Sequence, residues 1–194
     1  MRIWTIQPEA IYEALKEQKV LYTDISKSPL YHMEDAGVMD NPFQKGYDWF
    51  VKRMEEKAGK PEGASYPWWA WYKRHGKHKK PDLREAGYAE KGERCVCLEL
   101  EVPDNEVVLS DFDMWWFCIS DRWFSGAADD DGLDRLDSWF KSLDKGTQER
   151  LKRESWEAVF DIEPDQYGRG SWGQATFWEL RLADIKKVVY FTAR

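Results

Sequence analysis

Polar and apolar positions alternate most regularly from Arg94 to Val102, where Val96, Leu98, Leu100 and Val102 interleave with Cys95, Cys97, Glu99 and Glu101. A period of two predicts a strand with one face buried and the other meeting solvent or a site. The clearest helical period follows Asn41 and Pro42: Phe43, Tyr47, Phe50 or Val51, and Met54 share a side, and Gly59 ends the run. Asn41 is the expected cap and Pro42 the first helical residue. Upstream, Arg2–Ile6 reads as a short strand, Gln7-Pro8-Glu9 opens a helix with Ile11, Ala14, Leu15 and Gln18 on one side, and Val20–Tyr22 reads as a second short strand or an extended stretch. The stretch from Asp24 to Asp40 has no clean period and reads as an irregular loop.

After Gly59, Pro61 and Gly63 mark a loop, and Tyr66–Tyr72 is aromatic and proline-bounded, as expected of a strand. Lys73–Lys80 is then a basic turn centred on Gly76. Pro103-Asp104-Asn105 marks a turn and Val107–Leu109 a short strand, with Ser110 or Asp111 capping a short helix or leading an extended piece through Phe117. Leu133, Leu136, Phe140 and Leu143 define one later helix; Leu151, Trp156, Val159 and Phe160 define another, with Thr147 as its cap. Gln174–Leu180 and Lys187–Thr192 read as strands. Strands at both ends with helices between them predict an α+β fold with a mostly antiparallel sheet. No repeat, linker or low-complexity tract divides the chain, so residues 1–194 are expected to form a single domain.

The composition changes this picture in two respects. Twelve tryptophans take over core volume usually filled by leucine, and some spill into polar segments. Those at Trp49, Trp139 and Trp156 lie on helical faces and read as core, whereas Trp69, Trp71 and Trp115 adjoin charged motifs. The net charge of −7 disfavours general nucleic-acid affinity, leaving a local basic patch as the route to phosphate. No run approaches the ~18 apolar residues of a membrane span, and with Met1–Thr5 entering a strand pattern directly, no signal peptide is expected. With three cysteines in apolar or strand-like settings, the expectation is a reduced, cytoplasmic protein with no membrane partner.

Three constellations carry candidate chemistry. In the first, Trp71 and Tyr72 run into a basic turn and on to Lys80-Pro81-Asp82-Leu83-Arg84. Aromatic faces stack on bases while basic tips hold phosphate, so the passage fits a nucleotide or nucleic acid; its alternative is a core strand with a solvated hairpin tip. Asp82 and Arg84, two apart in extended chain, form a forked pair or jointly orient a ligand. The second, Ser110-Asp111-Phe112-Asp113-Met114-Trp115-Trp116, offers two carboxylates around an aromatic for a cation or a sugar hydroxyl, with helix capping the simpler role of Asp111. The third places Glu179 in the otherwise apolar strand begun by Gln174-Ala175, either at its exposed end or in a functional role. A metal is not expected, because lysines surround His75 and His78 and the Cys95–Cys97 spacing is not that of a zinc site. No serine-triad turn is present.

Taken together, Trp4-Thr5-Ile6-Gln7-Pro8, Tyr47-Asp48-Trp49, Trp69-Ala70-Trp71-Tyr72, Pro81-Asp82-Leu83-Arg84, Cys97-Leu98-Glu99-Leu100, Ser110-Asp111-Phe112-Asp113 and Gln174–Leu180 make the chain resemble, over nearly its full length, an uncharacterised bacterial domain-of-unknown-function family. At the level of the fold it also resembles ADP-ribosyltransferase-like domains of the DNA-modifying toxin branch. That second resemblance implies NAD as cofactor, Thr5 or Gln7 as contacts on the first strand, and a catalytic glutamate on the strand begun by Gln174-Ala175. The glutamate of that branch falls where Thr176 stands, and Glu179, the nearest acid, has opposite strand parity. A binding module for a nucleotide, nucleic acid or protein is the competing expectation.

Overall fold

A computed structural model describes residues 1–23, 41–163 and 169–194. The loop expected from Asp24 to Asp40 lies outside them. The fold is α+β. Strands β1 (Arg2–Pro8), β3 (Trp68–Trp71), β4 (Arg94–Glu101), β5 (Val108–Asp111), β6 (Gly173–Phe177) and β8 (Ile185–Thr192) form one sheet in the order β5-β6-β3-β1-β4-β8, and β2 (Val20–Leu21) pairs with β7 (Leu180–Arg181). Every one of these ladders is antiparallel. The helices are α1 (Glu9–Gln18), α2 (Pro42–Ala58), α3 (Phe112–Ile119), α4 (Asp130–Ser142) and α5 (Lys145–Ser155).

Directly paired residues in an antiparallel ladder share a face, so the register divides the core in two. On one face Ile3, Ala70, Leu98, Leu100, Ala175 and Phe177 pack with Leu15 of α1. On the other, Trp69 and Val108, both opposite Thr176, meet Phe50 and Met54 of α2 and Met114, Trp115 and Cys118 of α3. Gly46 permits the close approach of these two helices: a Cβ there would lie 2.5 Å from the Cys118 carbonyl oxygen.

Local chemistry sets the helix ends largely as the sequence predicts. The Asn41 side chain accepts from the N–H groups of Phe43 and Gln44, and Gly59 closes α2 at φ 62°. Asp111 caps α3. α5, however, is capped by Asp144, not Thr147; the Thr147 N–H and hydroxyl both donate to the Asp144 carboxylate, at 3.0 and 2.6 Å. An ionised acceptor satisfies these donors better than a hydroxyl that must itself donate.

Two strands depart from their expected form. β4 buries both faces, with Cys95 and Cys97 1% exposed, because the segment between β3 and β4 folds back across the second face. His78 packs at a tilt against Trp4, 5.2 Å between ring centroids, and Tyr88 meets Phe191 edge-on at 6.4 Å. The expected continuous strand Gln174–Leu180 breaks at Phe177. Unbroken, it would place Trp178 and Leu180 on one face; instead Trp178 enters the helix-side core and Leu180 the opposite one, paired with Leu21. The expected division of helix-face and motif tryptophans is also corrected: Trp115 is 7% exposed and Trp69 packs between Phe50 and Trp115, whereas Trp139, expected in the core, is 47% exposed on α4.

Candidate functional site

One row of paired residues crosses the sheet at its centre: Ser110 on β5, Gln174 on β6, Trp71 on β3 and Trp4 on β1. The ladder places all four on the same face. Trp4 is the single register partner of β3 on β1, whereas β1 pairs with β4 over its whole length. Beyond that point the Thr5 hydroxyl donates to the Trp69 carbonyl at 2.8 Å, and the Gln7 amide donates to the Thr5 hydroxyl at 2.7 Å. The two β1 residues singled out in the sequence thus bridge the parting of the strands, with Thr5 fully buried.

Around Trp71 the sequence builds an aromatic and cationic cage. His75 and Gly76 both take positive φ, 52° and 68°, and turn the chain so that Arg74 bonds back to Lys77. The Arg74 guanidinium is consequently held 4.7 Å from the rings of both Trp71 and Trp172, and it donates to the Tyr88 hydroxyl and the Glu85 carboxylate. Burying this cation is tolerable because aromatic faces and an acid surround it. The Gly76 N–H donates to the Ser171 carbonyl, and the His75 ring lies 4.3 Å from Trp172, so the basic hairpin tip is pinned beside the cage.

Asp111 ties the row to the helices. One of its carboxylate oxygens accepts the Met114 N–H at 2.8 Å as the α3 cap, and the other accepts the Gly170 N–H at 2.6 Å. The next residue, Phe112, is 43% exposed, packs on Trp71 at 5.4 Å, and joins Asp113, Trp115 and Trp116 in lining a cleft of about 380 Å³. Burial and the neighbouring Asp111 raise the Asp113 pKa. Among the described residues, the Ser110 hydroxyl and the Gln174 carboxamide oxygen in this row are buried without a hydrogen-bond partner.

Glu179 lies elsewhere, five residues past Gln174 and beyond the end of β6, roughly 16 Å along extended chain. It lines a different cleft, of about 340 Å³, with Trp178, Glu106, Arg181 and Lys60. Its carboxylate accepts from the Tyr22 hydroxyl at 2.5 Å and from Arg181 at 2.6 Å, and these two bonds hold its pKa below the usual glutamate range. Arg181 also reaches Glu106 at 2.5 Å. Asp82 and Arg84 form the forked pair, at 2.6–3.2 Å, in the segment between β3 and β4; the guanidinium holds the Asp82 carboxyl well below its ordinary pKa. Lys80 is exposed nearby, and Tyr72 turns to His78 at 4.5 Å.

The fold therefore brings Trp71, Gln174, Asp111, Asp113 and Trp115 to one side of the sheet, sets Thr5 and Gln7 on the opposite face of β1, and leaves Asp82, Arg84 and Lys80, and separately Glu179, at two other places. Sequence reasoning places Ser110 and Phe112 in a candidate motif without assigning either a role, and misses Arg74 and Trp172 as site residues. The signal for Arg74 is its place two residues before a glycine-centred turn, and for Trp172 its position between Gly170 and Gly173. No cluster of three or more His, Cys, Asp or Glu side chains among the described residues is arranged to hold a metal ion. Among those residues no helix is long and apolar enough to cross a membrane.

Comparison with curated proteins and with solved structures finds no match. A family model does match, over residues 2–186 of 194, and its description assigns no activity. With nearly the whole chain covered, the protein belongs to this family, a domain of unknown function, DUF3841.

Proposed function

We propose that the protein is a binding module for a nucleotide, held on the face formed by Trp71, Phe112, Gln174 and Ser110. The observation that carries this reading is the pair of buried, unpartnered polar atoms, Ser110 Oγ and Gln174 Oε1, at directly opposed positions beside Trp71. An unpaired buried polar atom costs about 1–3 kcal/mol, and a ligand supplying the missing partner recovers that cost. A carboxamide oxygen suits the exocyclic amino group of a base or the amide of nicotinamide. Exposed aromatic edges at Phe112 and Trp116 suit the ring itself, and the basic tip at His75 and Lys77 suits a phosphate.

NAD and adenine nucleotides are the first ligands to test. At about 100 times Kd a ligand stabilises by about 2.7 kcal/mol, which for a chain of this size raises the thermal midpoint by roughly 5–10 °C. Gln174→Met removes the acceptor at nearly constant volume and is expected to abolish the shift, as is Trp71→Ala. If no nucleotide shifts the midpoint, or if both variants respond like the wild type, the reading fails. Short single-stranded DNA distinguishes the two phosphate-bearing ligands, since its binding weakens steeply with salt.

The resemblance to ADP-ribosyltransferase-like domains supplies a second reading, favoured by the parting of β1 from β3 at Thr5 and Gln7. It requires NAD cleavage that depends on Glu179. Release of nicotinamide by the wild type but not by Glu179→Gln supports it; NAD left intact by a protein that binds it returns the site to the module reading.

A further inference from the structure

Helix α4 differs from every other helix described: α1, α2, α3 and α5 each bury at least one residue, and α4 buries none. Its sequence is nevertheless strongly two-sided. Leu133, Leu136 and Phe140, with Trp139 beside them, form one apolar stripe at helical spacing. A stripe of that kind normally faces a core. Here Leu133 is 41% and Trp139 47% exposed. The helix is nonetheless fixed in place: Phe140 stacks on Trp123 with ring centroids 4.4 Å apart and planes 5° from parallel, and Trp139 lies 6.0 Å from the same ring. Between this helix and the end of α3, Phe117, Trp123, Phe124 and Leu133 bound a groove of about 360 Å³.

The α4 side of the groove is acidic, with Arg169 over the Phe124 ring at its far side. Asp129 and Asp130 line it directly, and Asp131, Asp134 and Asp137 follow along α4, against only Arg135 and Lys141 on the helix. We propose that the groove between α3 and α4 docks a basic amphipathic segment of another protein, with apolar side chains seated over Leu133 and Trp123 and lysine or arginine tips on the aspartates. An apolar floor beside a predominantly acidic helix selects a partner of opposite charge and disfavours acidic segments and anionic lipid surfaces alike. The site is separate from the Trp71–Gln174 row, with which it shares no lining residue.

The test uses the full-length chain and a fluorescent helix-forming peptide with leucine at i, i+3, i+4 and i+7 and lysine elsewhere. The expected result is micromolar binding that weakens as salt rises, falls about tenfold in Leu133→Ser, and loses much of its salt dependence in Asp130→Asn/Asp134→Asn. Both variants alter exposed side chains, so an unchanged thermal midpoint verifies that they fold. The same peptide with glutamate for lysine is expected not to bind. Equal binding of the glutamate peptide, or affinity unchanged in both variants, overturns the proposal. So does a dimer in sedimentation that Leu133→Ser dissociates, which assigns the face to a second copy, or flotation of the wild type with phosphatidylcholine vesicles, which assigns it to lipid.

Discussion

Glu179 illustrates how a residue's meaning depends on what meets it. From the sequence it is an acid in an apolar strand; in the fold it is the joint between the two sheets, receiving the Tyr22 hydroxyl from beyond β2 and Arg181 from β7. Its pKa is lowered, chiefly by the Tyr22 hydrogen bond and then by Arg181. A depressed folded pKa contributes stability that is present above the unfolded value, near 4.3, and is lost as pH falls through the folded value. Glu179→Gln is therefore expected to destabilise by about 1–2 kcal/mol near neutrality, with the difference from wild type shrinking as pH falls below the unfolded value and through the lowered folded one. Urea unfolding near neutrality and at low pH measures it. A difference that persists unchanged at low pH would mean that geometry, not charge, is what the carboxylate supplies. The tryptophans follow the same logic: Trp49 and Trp156 meet edge-on at 5.3 Å in the core their helical faces predict, while Trp115, beside Asp113 in sequence, is only 7% exposed.

Elements that end on a local device were legible, and those that end on a distant contact were not. The cap, proline and terminal glycine of α2 lie within the helix's own sequence and fix both of its ends. The end of β6 is decided by whether β2 and the helix-side core compete for the next residues, and nothing between Gln174 and Leu180 announces it. Asp111 combines both cases. As a cap alone it would tolerate asparagine, which is about as good an N-cap as aspartate. Its second oxygen, however, accepts the Gly170 N–H, and an asparagine amide turned to that group opposes one donor with another. Asp111→Asn is expected to cost about 1–3 kcal/mol, mostly from the unsatisfied buried N–H. Chemical denaturation distinguishes the roles, since a near-neutral result would reduce Asp111 to a cap.

At the scale of the molecule the helical layer is tied together by a close crossing of α2 and α3, at Gly46 and Cys118. Gly46→Ala raises helix propensity by up to about 1 kcal/mol, yet places a methyl group against a backbone carbonyl that cannot rotate away. The expected net effect is a loss of about 1–3 kcal/mol in thermal or chemical unfolding. A gain in stability would show that the two helices separate freely, and with them the wall behind the aromatic cleft.

The sequence by itself determined the class of the fold, most of the elements and their caps, because periodicity, capping and turn chemistry act over a few residues. It also found Trp71, Gln174 and Asp111 as individual candidates. Only the tertiary structure decided that these three stand together, that Ser110 and Arg74 join them, and that Glu179 does not. Pairing Ser110 with Gln174 and Gln174 with Trp71 joins residues separated by 64 and 103 positions of chain. That choice is made by which strands complete a sheet between two cores, a balance of burial summed over the whole molecule that no local pattern encodes.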